Sequence, residues 1–155
     1  MKFSSREDID VPIKDVFDFL CAYDRFERQA IRRGAVVQRV DKLPEPGLGM
    51  TWDVSFTLRG KKRDVRLTMV NLTSPTDIGL KAKSQGIDGS FEIELIALSR
   101  TRTRMAIALE LRPINLSARL LVQSLKLAKS SLNKRFKLRA AEYAKVIEDQ
   151  LSRTT

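Results

Sequence analysis

The sequence predicts an α+β fold: a meandering antiparallel sheet of about seven strands, a long C-terminal helix, and two short helices after the first strand. Three observations carry this. Apolar residues recur with period two through most of 35–112, the strand period. From 116 to 151 the period becomes three to four, that of a helix. Early on, the stretch "DIDVPIKDVFDFLCAYDRFER" (Asp8–Arg28) passes from strand to helix within a few residues of Val11-Pro12.

Residues 2–10 alternate as an edge strand through Phe3, Ser5, Glu7 and Ile9. Pro12 fits the start of a helix, where its missing N–H costs little, and Ile13, Val16, Phe17 and Leu20 then recur at helical spacing. A second helix spans Tyr23–Arg33, with Tyr23, Phe26, Ala30 and Ile31 inward and Gly34 as terminator. Strands are expected at 35–42, 49–58, 62–72, 77–83, 90–98 and 102–112. In "MTWDVSFTL" the residues Met50, Trp52, Val54, Phe56 and Leu58 share one face. "RGKK" places Gly60 first in a type II′ turn, which sets Trp52 opposite Met69, Val54 opposite Leu67 and Phe56 opposite Val65. Across "SRTRT", Phe91, Ile93 and Leu95 meet Leu109, Ile107 and Met105, leaving Arg102 and Arg104 outside. The long helix at 116–151 carries the stripe Leu121, Leu125, Ala128, Leu132, Phe136, Tyr143 and Ile147; Ser130, Ser131 and Asn133 mark a bend.

Residues 1–155 read as one domain, with an ordinary globular composition. "MKFSSREDID" has no signal-peptide core and no run is long and apolar enough to span a membrane, so the expected compartment is cytoplasmic. The single cysteine, Cys21, builds no disulfide and fits a buried small side chain better than a nucleophile. With 29 basic against 19 acidic residues the net charge is +10, which favours anionic partners: nucleic acid, acidic lipid or acidic protein. The sequence has no histidine. That removes histidine general bases, histidine triads and nearly all zinc-hydrolase arrangements. No residue set calls for a metal or another cofactor.

The strand running through "VP" into "IKDVFDFLCAYDRFE", together with "SRTRTRMAIALELRP" and the helix after it, resembles the START/polyketide cyclase superfamily (SRPBCC), which includes birch-pollen-allergen-like proteins. The resemblance implies a helix-grip fold, in which a curved antiparallel sheet wraps the C-terminal helix around a hydrophobic ligand. It implies no shared catalytic motif, and none is present to carry over.

The candidate ligand-binding residues are Trp52, Val54, Phe56, Leu67, Met69, Phe91, Ile93, Met105 and Ile107 on the sheet. Leu125, Leu132, Phe136, Arg139 and Tyr143 face them from the helix. A filled core is the alternative for the apolar members. Arg139 falls within the inward stripe, either as an anchor for a ligand anion or as a snorkelling stem. Glu92, Glu94, Asp15, Asp18 and Asp53 alternate with apolar positions or sit near a helix start, and read as solvent-facing. Basic residues cluster around Arg25–Arg33, in "RGKKR" (59–63) and over Lys126–Lys137, without the aromatics that specific nucleic-acid reading uses.

Leu116, Leu120, Leu127 and Leu138 form a second row opposite the first. It suits a homodimer seam, a protein partner, a membrane surface, or burial under loops. The leading function is binding or carriage of a hydrophobic small molecule, whether lipid, isoprenoid or polyketide-like, without catalysis. A polyketide cyclase- or aromatase-like enzyme and a basic interaction protein are the alternatives.

Overall fold

In the computed structural model, which describes residues 1–152, β1 (Lys2–Ile9) leads into α1 (Ile13–Leu20) and α2 (Tyr23–Arg32). Six strands follow: β2 (Val36–Arg39), β3 (Thr51–Leu58), β4 (Lys61–Thr73), β5 (Asp77–Ser84), β6 (Ile87–Ser99) and β7 (Arg102–Pro113). The helices α3 (Leu116–Leu127) and α4 (Lys129–Ser152) complete the described chain. All strands pair antiparallel in one open seven-stranded sheet of order β1-β7-β6-β5-β4-β3-β2. The meander therefore runs from β2 to β7, and β1 closes against the last strand.

The β6–β7 register is the one the apolar pattern predicts, with Phe91 opposite Leu109, Ile93 opposite Ile107 and Leu95 opposite Met105. The β3–β4 hairpin differs. Its turn residues are Arg59 and Gly60, both at positive φ (52° and 76°), which is a type I′ turn rather than II′. Trp52 consequently faces Leu67, Val54 faces Val65, and Phe56 faces Arg63. Each partner moves by two positions, so every side chain keeps its face of the sheet. Apolar alternation fixes the face; only the turn backbone fixes the pairing.

The predicted single C-terminal helix is broken at Ala128, where φ is −104° and ψ 15°. Leu132 N–H resumes the ladder by bonding to the Ala128 carbonyl. The weak helix formers Ser130 and Ser131 follow immediately, and the break lets α3 pack on β7 while α4 lies along β1. α3 starts firmly: the Asn115 side chain accepts from Ala118 N–H at 2.8 Å, and Ile114 N–H bonds to the Gly86 carbonyl at 2.7 Å. Gly86 sits at φ 81°, and a Cβ there would run into the Asn115 carboxamide. Only glycine fits this joint.

The core combines α1 (Val16, Phe17, Phe19), the sheet (Ile9, Met50, Trp52, Met69, Leu95, Met105) and α4 (Ala140, Ala144, Ile147). α2 is different, since none of its residues is buried and both Phe26 and Ile31, expected inward, are exposed. In the connection to β3, Asp41 accepts from Arg39, from Thr51 N–H at 2.9 Å and from Leu43 N–H at 3.1 Å. The Arg39 guanidinium, then the Thr51 amide, hold its carboxyl far below the usual carboxylate range.

The corner at Val11-Pro12 is pinned from three sides. Thr103 Oγ donates to the Val11 carbonyl at 2.7 Å, Asp10 N–H donates to Glu148 on α4 at 2.8 Å, and Arg104 grips Asp8 at 2.9 Å. Thr103 is fully buried and Val11 nearly so. Thr103→Val keeps the shape but leaves that carbonyl unpaired. We predict a loss of about 1–3 kcal/mol in urea unfolding; an unchanged midpoint would show that the corner does not depend on this bond.

Candidate functional site

The inner face of the sheet alternates large apolar side chains. β3 contributes Trp52, β4 Leu67 and Met69, and β5 Ile78 and Leu80. β6 adds Phe91 and Ile93, and β7 Met105 and Ile107. Across from them stand Phe136, Ala140, Tyr143 and Val146 of α4. Between them lies a cavity of about 640 Å³, with Leu20 of α1 and Tyr23, Phe26, Gln29 and Ala30 of α2 along one side.

α2 is held over this space by a few polar contacts. Trp52 Nε1–H donates to Glu27 Oε1 at 2.8 Å, and the Tyr23 hydroxyl donates to the Met69 sulfur at 3.6 Å. The Tyr23 and Trp52 rings lie 5.9 Å apart. Arg25 stacks 4.1 Å over the Phe19 ring and donates to Gln150 of α4 at 2.8 Å. Phe26, expected inward by its spacing, lines the cavity yet is 45% exposed, so α2 covers the space without sealing it.

The rim is cationic. Arg32 and Arg33 at the C-terminal end of α2, and Arg139 on α4, are exposed and line the cavity, with Glu142 as the one acidic lining residue. Among the described residues none of these three arginines forms an ion pair. No group of three acidic or thiol side chains among the described residues is arranged to hold a metal. The site can therefore take up an apolar body and meet a negative end at its mouth.

Of the candidates from sequence, Trp52, Leu67, Met69, Phe91, Ile93, Met105, Ile107, Phe136, Arg139 and Tyr143 come together around this cavity. Val54, Phe56, Leu125 and Leu132 do not line it. Val54 borders a second, more open depression of about 660 Å³ near the β3–β4 and β5–β6 hairpins, whose wall mixes apolar side chains with charged ones, including the paired Asp53 and Arg66. Phe56 stands next to the hairpin turn opposite Arg63, while Leu125 is buried on α3. Leu132 is half-buried in the first turn of α4, just past the break.

Four more wall residues carry a sequence signal: Ile78 and Leu80 alternate in "DIGLKA", and Ala140 and Val146 sit a helical turn from Phe136 and Tyr143. Gln29, Arg32 and Arg33 carry no such signal. Polar residues on a helix declare their neighbours only once the helix is docked.

The titrating groups here are donors rather than bases. Burial, reinforced by the nearby Cys21 thiol, pushes the Tyr23 hydroxyl well above its ordinary 10.0. Burial also raises Tyr143, against a smaller pull from Arg25. Burial raises the Cys21 thiol, which makes it a poor nucleophile at neutral pH. Tyr23 and Tyr143 are the only tyrosines. Both are raised in the folded state, so their contribution to stability is complete below pH 10.0 and is lost as pH climbs beyond it. We predict that tyrosinate absorbance in the native protein appears only above pH 10.0, whereas the urea-unfolded chain titrates there. A native titration centred at 10.0 would contradict the packing described.

No family model and no curated protein matches the sequence. Solved structures do match in fold. The TTHA0849 protein of Thermus thermophilus aligns at TM-score 0.68 and 10% identity, covering 100% of this chain and 99% of that one. Norcoclaurine synthase of Thalictrum flavum, in complex with a transition-state analogue, aligns at 0.67 and 9% identity, covering 97% and 95%. The Zhui aromatase/cyclase of Streptomyces sp. R1128 aligns at 0.59 and 13%, covering 86% and 88%. These likenesses, with the strand order and the C-terminal helix across the sheet, give the chain the helix-grip fold.

Proposed function

We propose that this protein binds or carries a hydrophobic small molecule, of lipid, isoprenoid or polyketide-like character, between the sheet and α4. The observation that carries the reading is the cavity of about 640 Å³, walled by apolar side chains on two sides and open at a cationic rim. Small-molecule sites are typically apolar hollows of about 300–1,000 Å³ with a few polar groups fixing orientation. Met69 and Met105 give the wall adaptable side chains.

Magnitudes assign the roles. Each methylene moved from water into such a cavity contributes about 0.8 kcal/mol. An exposed ion pair at Arg139 contributes about 1 kcal/mol or less. Chain length then sets affinity, and the rim sets which end of the ligand faces out. A second reading, a cyclase- or aromatase-like reaction, is favoured by the protonated Tyr143 hydroxyl beside Arg139 on one wall, a pair suited to an enolate oxygen. It requires turnover that falls in Arg139→Ala while binding persists.

Trp52 is the only tryptophan and lines the cavity, so its emission reports occupancy directly. We expect dodecanoate and dodecanol both to shift that emission. Arg139→Ala should weaken dodecanoate up to about fivefold and leave dodecanol unchanged. If neither ligand alters Trp52 emission, and the protein extracted from lysate is empty by native mass spectrometry, the carrier reading fails.

A further inference from the structure

The outer face of α3 combines two features. The first is an apolar row: Leu116, Leu120 and Leu127 are 73%, 60% and 93% exposed. Their spacing of four and seven places them within about 40° of one another around the helix, opposite the buried Ala118, Val122 and Leu125. They are not covered by loops or by α1. Arg119 and Lys126 flank this row on one side. The second feature is charge: between Glu110 and Glu142 the sequence has no aspartate or glutamate, only a succession of arginines and lysines.

A second element joins the same surface. Arg59 Nη1 donates to Ser124 Oγ at 3.0 Å, which fastens the β3–β4 hairpin tip to α3. The tip brings the exposed Lys61 and Lys62, again without a neighbouring acid in the turn. Asn115 and Gly86 fix the start of α3, so the leucines are presented on a rigid support rather than on a fraying helix.

We infer that α3 and the β3–β4 hairpin tip form a docking surface for a membrane leaflet rich in anionic phospholipid. A row of leucines bordered by cations is the pattern of a helix lying at the interface, with leucines at the acyl boundary and lysines and arginines at the phosphates. The same observations disfavour other occupants. A twofold dimer through α3 would set these cations against their own copies. Nucleic acid would use the cations but not the leucines, and neither α3 nor the turn at 59–62 offers an aromatic ring for stacking. An acidic protein groove is the remaining competitor. The inference stands apart from what fills the cavity.

Vesicle flotation tests it with the full chain. The wild type should float with vesicles of equal parts phosphatidylcholine and phosphatidylglycerol, but not with phosphatidylcholine alone, and binding should fall as salt rises. Arg119→Gln with Lys126→Gln should weaken it by about twenty-five-fold, at about fivefold per cation. Arg28→Gln with Arg100→Gln changes net charge equally on other exposed elements and should leave binding unchanged. Leu116→Ser, Leu120→Ser and Leu127→Ser together should abolish flotation while circular dichroism and Trp52 emission stay native. Four results overturn the inference: no flotation of the wild type, flotation that survives the three serines, equal loss in both charge pairs, or leucine-dependent binding to itself or to an acidic protein without binding to vesicles.

Discussion

A single geometric constraint governs this molecule: seven antiparallel strands offer more inner surface than one helix can cover. α4 lies along β1, at one edge of the sheet, and α3 packs on β7 beside it. The inner faces of β3, β4 and β5 lie farther from α4; Trp52 and Met69 there are buried in the core yet also line the cavity with Leu67 and Leu80. Apolar side chains facing apolar side chains across a gap too wide to close are what make the cavity. α2 covers the gap at its mouth, yet it buries none of its own residues. What holds it is the set of contacts made by Tyr23, Arg25 and Glu27.

The same constraint explains how far the sequence could be read. Strand faces follow from period-two alternation, so Trp52, Met69, Phe91 and Ile107 were legible as inward-facing, and the β6–β7 register followed from "SRTRT". The β3–β4 pairing was not, because Arg59 takes a positive φ that its residue type does not advertise. Apolar periodicity also cannot distinguish a wall from a filled core. Leu125 and Phe136 belong to one stripe in the sequence, but the break at Ala128 separates a residue buried on α3 from one facing open space. The rim arginines on α2 lay beyond reach for a further reason. They are positioned by Glu27, Arg25 and Tyr23 contacting residues far along the chain.

Charge is distributed as unevenly as apolar surface. On the outer face of the sheet, cations are paired with acids across the strands: Arg66 with Asp53 and Arg104 with Asp8, each by two hydrogen bonds. Exposed pairs of this kind contribute little to stability, but they neutralise the face on which they stand. Eleven of the nineteen acids stand on the strands and α1. The net charge of +10 is therefore a positional excess, concentrated where acids are missing rather than spread over the surface.

Two of those places adjoin exposed apolar groups. At the cavity rim, Arg32, Arg33 and Arg139 stand beside Phe26; on α3, Arg119 and Lys126 stand beside the leucine row. An apolar group bordered by cations that form no ion pair among the described residues suits an amphiphile with a negative head. The proposed ligand would present one such head at the rim, and the proposed docking surface would meet a sheet of them. A carrier of amphiphiles has to meet the membrane that dissolves its cargo, so the two surfaces are chemically consistent although each is tested separately. The carboxylates that pin the corner at Val11-Pro12, Asp8 and Glu148, lie outside both regions, which leaves the scaffold's own charge pairs untouched by whatever the cations meet.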